Sequence, residues 1–318
     1  MRRTFGYIAI VLGTVLIVAA PLLRWYSYPR VAKAPTDVND SSNTIGTGSY
    51  FSPTQLAVVN GATIDNQSHA VGSPQASTND VAVIRILSKT FDTGTNAVLS
   101  YADDRYTMDR VTGYAVHCCG EFPRHEGLTL KFPFGTHRRT YLFYDSTALK
   151  AFPARYVRED EVAGLKTFVF ESDVPPTVIG AIGLPGKLAG QPGVPSVATA
   201  RYYTGETTLW VEPFTGAIIK AKQHHKEYLN DASGTTVLTV ADFTVQSSQA
   251  DIEDTASQIS TKYTQLKLVR DVLPLWGPII GLVLLAVGLL LLFRQRPGGS
   301  NVPAARPAPG TPAMESGV

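Results

Sequence analysis

The sequence predicts a mainly β (α+β) extracytoplasmic domain, an antiparallel sheet or barrel-like, flanked by two transmembrane α-helices. Three observations carry this prediction. Charged residues make up only 17% of the 318, against ~25% in an average soluble domain, and two long runs hold none. Between those runs lie short segments of alternating apolar and polar residues separated by turn formers, the pattern of antiparallel strands. One stretch near the second run has helical periodicity.

Residues 1–4, with Arg2 and Arg3, precede the first run, Phe5–Leu23, which is 19 residues without a charge. At ~1.5 Å per helical residue it crosses a hydrocarbon core of ~30 Å. Val18-Ala19-Ala20 offers the small residues of a cleavage site, so a cleaved signal peptide is the competing reading. The run is longer than a signal h-region of ~7–15 residues. Trp25, Tyr26 and Tyr28 stand where an interfacial aromatic belt belongs, and an uncleaved anchor is expected. The second run, 273–293, has 21 residues and is followed by Arg294 and Arg296. Basic residues beyond both runs place the two termini in the cytoplasm of a two-pass plasma-membrane protein, with residues 24–271 outside. Residues 294–318 hold five prolines and four glycines and are expected to be a disordered cytoplasmic tail.

Within the exported region, residues 29–80 are rich in Ser, Thr, Asn and Asp and read as a loose stalk with a first strand around Tyr50 to Val59. Strands are expected at VAVIRIL (81–87), GLTLKF (127–132), TYLFY (140–144), KTFVFE (166–171), TTLWVE (207–212), AIIKAKQ (217–223) and TTVLTVADFTV (235–245). All are short. Pro213-Phe214-Thr215-Gly216 reads as a tight hairpin turn. Ile252, Ala256, Ile259, Tyr263, Leu266 and Val269 alternate at four and three, predicting a stalk helix over about 249–271. Ser248 caps it, Asp251 completes a capping box, and Pro274 marks a kink at the junction with the second apolar run.

The chemical inventory is thin. A net charge of +2 with no basic concentration excludes a nucleic-acid partner. Hydrolase, zinc-protease and phosphate-loop motifs are missing, so no enzyme activity and no cofactor are expected. Cys118 and Cys119 are adjacent and are the only cysteines. In an exported domain they form a vicinal disulfide, remain thiols or bond another chain. His117 and His125 lie close by, but structural zinc sites separate their cysteines by ~2–4 residues, and no metal is assigned. His224 and His225 point to opposite faces of a strand. The stretch 175–195 holds five prolines and five glycines among Val178, Ile179, Ile182, Leu184 and Leu188. It reads as an inter-strand loop tucked onto the core or, functionally, as an apolar loop that meets a ligand or the membrane.

The run 128–145, with Phe132-Pro133-Phe134-Gly135, resembles a signature of the actinobacterial porin PorA family. The run 209–219, with Trp210, Glu212, Pro213 and Gly216, resembles a second, and 109–113 followed by Cys118-Cys119 a third. The resemblance extends from the first apolar run to the second. The plan of two terminal anchors around a β-rich exported domain is also similar to CD36-type scavenger receptors, which implies a lipid-conducting interior. An outer-membrane barrel needs strands of ~9–11 residues, longer than the segments read here, and neither apolar run has an ionisable residue to line a pore. The expected function is therefore a two-pass envelope protein that binds or transports a lipid or other hydrophobic envelope component, with membrane lipids as partners. A channel, as the family label implies, or a non-catalytic tether or signalling partner is the alternative.

Overall fold

The computed structural model describes residues 2–293; the expected disordered tail lies outside the described residues. These residues contain helices α1 (Arg2–Pro21), α2 (Tyr28–Val31), α3 (Gln249–Lys267) and α4 (Leu273–Phe293). They fall into two compact units, one from the two ends of the chain and the other Arg24–Asp271.

In the first unit α1 and α4 pair. Both belong to helices long and apolar enough to cross a membrane. A Cβ on Gly13 would lie 2.6 Å from the carbonyl oxygen of Gly281, and one on Gly288 would lie 2.8 Å from that of Gly6. Backbones approach this closely only where side chains are absent. Val11, Val15, Leu282 and Leu290 stay exposed on the pair. Just before Pro274, where a kink is expected, a π-helical turn spans Leu268–Val272. Proline lacks the N–H that would bond the carbonyl four residues earlier, and a widened turn accommodates the loss.

The second unit is one sheet of ten antiparallel strands: β1 (Asn39–Ser52), β2 (Ala57–Gly72), β3 (Val81–Asp92), β4 (Val98–Asp109), β5 (Tyr141–Asp145), β6 (Lys150–Val162), β7 (Leu165–Pro185), β8 (Ser196–Glu212), β9 (Ala217–Asn230) and β10 (Thr236–Ser247). Its order is β4-β3-β2-β1-β10-β9-β8-β7-β6-β5. Two meanders thus join along β1 and β10, with Thr44 opposite Ser247 and Tyr50 opposite Ala241. The edges β4 and β5 do not pair with each other. Residues 110–140 lie between them, bridged to β4 at Arg105–Phe122 and Met108–Ala115 and to β5 at Leu128–Phe143. The product is a half-barrel whose seam is closed by irregular chain.

Several sequence expectations need correction. Residues 29–80 are no loose stalk: they contain β1 and β2, 14 and 16 residues long. Their polar composition hid them, because alternation is invisible where both faces of a strand are hydrophilic. GLTLKF is not a strand but part of the seam, with Leu128 and Phe132 fully buried. The strands β4 and β6 were missed because charged runs, Asp103-Asp104-Arg105 and Arg158-Glu159-Asp160-Glu161, interrupt their apolar alternation. Apart from the five-residue β5, strands run from 12 to 21 residues, so the expectation of short strands fails. The stretch 175–195 is mostly hairpin, with β7 extending to Pro185 and β8 beginning at Ser196.

Phe132 anchors the largest core cluster, with Leu128, Tyr141, Phe170, Leu209 and Val211. Tyr50, Ile64, Phe243 and Val245 form another across the β1–β10 junction. Helix α3 buries Ile252 and Ala256 against Ile219. The Ser248 Oγ accepts from the Asp251 backbone N–H at 3.1 Å, as predicted. The Asp251 carboxylate does not close the box: it accepts from the Asn43 backbone N–H at 2.6 Å, tying the helix to β1.

Candidate functional site: the polar interior of the half-barrel

Alternation along the strands decides what enters the interior. On β9, Gln223, His225 and Glu227 share one face; on β2 and β3, Asn66, Ser88 and Thr90 do the same. With Arg201 of β8 and Asp104 of β4 they line a cavity of about 990 Å³. A second cavity of about 360 Å³, lined by Tyr144, Asp145, Ser172 and Thr207, shares Ser146, Gln223 and Val245 with the first. The lining along this path is mixed, these polar groups alternating with apolar ones such as Leu99, Phe243, Val245 and Leu209.

Its charges are mutually held. Arg201 Nε donates to Glu227 Oε2 at 2.7 Å, and His225 Nε2 lies 2.9 Å from Oε1. Burial alone would raise the Glu227 carboxyl, but hydrogen bonds and charge from His225 and Arg201 hold it below its ordinary value. The His225 ring stacks on Phe243 at 4.8 Å, which fixes its plane. Tyr203 donates its hydroxyl to Asp145 at 2.9 Å and accepts from the Gln223 amide at 3.1 Å. Asp104 accepts from the Tyr106 hydroxyl at 3.3 Å, and burial raises its carboxyl.

Behind this wall the seam carries His125, fully buried between Tyr106 and Tyr144. Its backbone N–H and Nδ1 both meet Glu121 Oε1, and His117 meets the other oxygen at 2.9 Å. Burial lowers the His125 imidazole below its ordinary pKa. The Sγ atoms of Cys118 and Cys119 lie in bonding contact in the adjoining turn. Among the described residues no group of three or more His, Cys, Asp and Glu side chains is arranged to hold a metal ion.

The residues singled out in the 175–195 stretch do not converge. Val178 and Ile182 are exposed, Leu184 is buried, and Leu188 sits half-buried in the turn. Ile179 alone reaches the large cavity. The two motifs, in contrast, meet. Phe132 N–H donates to the Gly216 carbonyl at 2.8 Å, Gly135 N–H to Phe214 at 3.0 Å and Thr136 N–H to Pro213 at 2.7 Å. Glu212 accepts from the Phe214 and Thr215 backbones and the Thr215 hydroxyl. Trp210 Nε1 donates to Asp160 at 3.0 Å. Together FPFG and WVEP form an interlocked turn that holds the seam to the β8–β9 hairpin.

The interior residues Arg201, Gln223, His225 and Glu227 were missed by sequence reasoning. The available signal was the polar period of two in Gln223-x-His225-x-Glu227. The opposite-face reading of His224 and His225 gave His225 no function; it stands mid-strand, facing the cavity.

A half-barrel of long antiparallel strands that turns polar and charged side chains inward beside apolar ones defines a mainly β protein with a mixed interior. The chain belongs to the Porin PorA family, whose profile matches residues 5–290. It is similar to Porin PorA of Corynebacterium resistens (strain DSM 45100 / JCM 12819 / GTC 2026 / SICGH 158), 24% identical over 409 residues, covering 93% of this chain and 98% of that protein. It is also similar to Porin PorA of Corynebacterium amycolatum, 23% identical over 301 residues, covering 70% and 77% respectively.

Proposed function

We propose that this protein is a channel-forming porin of the cell envelope, with α1 and α4 as a two-pass anchor and the half-barrel interior as a path for hydrophilic solutes. The observation that carries this reading is the set of polar and charged side chains that face the two interior cavities, which meet at Ser146, Gln223 and Val245. The names of the two relatives support it. The solvent-facing side of the sheet bears ion pairs such as Arg155–Asp173 and Lys226–Asp242, which suits water rather than lipid. Two helices in glycine-mediated contact enclose no pore, so a conducting unit contains more than one copy. Purified full chain in a planar bilayer should give discrete conductance steps. A silent bilayer over a range of protein concentrations overturns the reading.

A second reading, binding of a hydrophobic envelope component, draws support from a separate apolar groove in the same unit, which meets the interior at Ile218.

A further inference from the structure

The groove has a volume of about 880 Å³ and opens between α3 and the half-barrel. Ile84, Ile86 and Met108 of the sheet, Leu130 of the seam and Ile259 and Leu266 of α3 line it. This size falls within the ~300–1,000 Å³ typical of small-molecule sites. On α3 the lining continues the apolar stripe beyond Ile252 and Ala256, through Ile259, which also packs against the Ile219 cluster, to Leu266.

One lysine of this lining is half-buried and without an ion-pair partner among the described residues. Lys131, half-buried, donates its ammonium to the Val111 carbonyl at 3.2 Å and rests 4.1 Å from the Phe134 ring centroid. Burial pushes its pKa down to about 7, against a weaker upward pull from Asp109. The Asp109 carboxylate is already engaged by the backbones of Val111 and Thr112. The other charged residues on the lining are Lys33, paired with Asp80 at 2.8 Å, Lys262, Asp37 and Asp40. Among the described residues Lys131 has no ion-pair partner, so an anion arriving there gains a charge-assisted hydrogen bond that a neutral ligand does not.

We infer that this groove binds a single-chain anionic amphiphile, a free long-chain carboxylate, with its chain along Ile84, Ile86, Ile259 and Leu266 and its headgroup on Lys131. Among the described residues Lys131 is the half-buried lining cation without an ion-pair partner, whereas Lys262, also unpaired, is exposed, so one sheltered cation matches one monoanionic head. The assignment rests on the second reading above and is independent of conductance.

The test uses full-length protein in phosphatidylcholine vesicles, palmitic acid bearing a diazirine near its methyl end, and peptide mapping after irradiation. Label is expected on β3 and α3, displaced by unlabelled palmitate, reduced about tenfold in Lys131→Met and restored in Lys131→Arg. Hexadecanol bearing the same diazirine should label these peptides weakly; equal labelling overturns the role of Lys131. Displaceable label elsewhere in residues 24–271, for instance on the 175–195 hairpin, overturns the groove assignment and leaves hydrophobic binding standing. No displaceable label anywhere overturns both.

Discussion

Glu212 and Gly216 show how single residues set the seam. Glu212 is 3% exposed, and its carboxylate is the acceptor for two backbone N–H groups and one hydroxyl. Glu212→Ala strands those donors in the core and should cost about 2–4 kcal/mol. Gly216 has φ +74°, and a Cβ there would lie 2.0 Å from the Phe132 carbonyl oxygen. Gly216→Ala should therefore cost more than the ~1–2 kcal/mol of left-handed backbone alone. Both losses are readable as shifts in the urea midpoint of the full chain. His125 adds a pH term. Its folded pKa lies below the 6.5 of the free side chain, because the fold buries it neutral. As pH falls below 6.5 the unfolded chain takes up a proton that the fold refuses, so stability declines with acidity in this window. The decline in stability from pH 7 to pH 5 should be smaller in His125→Phe than in the parent; an equal decline would show that His125 contributes nothing.

At the scale of elements, the α1–α4 pair depends on the absence of side chains. A Cβ on Gly281 meets the Gly13 carbonyl oxygen at 2.7 Å and Ile17 at 2.8 Å. Gly281→Val forces the helices apart and should lower stability in detergent by about 1–3 kcal/mol, measured as a fall in Tm, whereas Gly180→Ala, with open space around its Cβ, should leave Tm unchanged. Helix α3 was legible because its apolar residues repeat at four and three and Ser248 caps it. Strands β1, β2, β4 and β6 were not. Asn39–Ser52, for example, shows no apolar stripe before Tyr50, since Asn, Asp, Ser, Thr and Gly occupy nearly every position on both faces, and a period of two leaves no contrast to read.

For the whole molecule, the decisive feature is that β1 and β10 pair. The first and last strands thereby meet within the sheet, and the edges β4 and β5 are left for residues 110–140 to bridge. The resulting interior has room for water and solute. If it is the conducting path, Ser88→Trp, which projects an indole into the large cavity, should lower single-channel conductance without changing the far-ultraviolet circular dichroism. Unchanged conductance would move the path elsewhere. The site itself was scarcely readable beforehand: Arg201, Glu227, Asp104 and Asn66 come from four strands far apart in the chain.

The sequence by itself determined the two apolar helices, the antiparallel β class, the α3 cap and membership of the family, because each rests on local composition, short periodicity or contiguous motifs. Only the tertiary structure decided that the strands are long, that FPFG and WVEPFTG clasp each other, and that polar residues face inward around a cavity. Those outcomes depend on register and closure between distant strands. Such pairing is written in no local window, and it alone decides whether a hydrophilic strand face turns outward to bulk water or inward to line the interior.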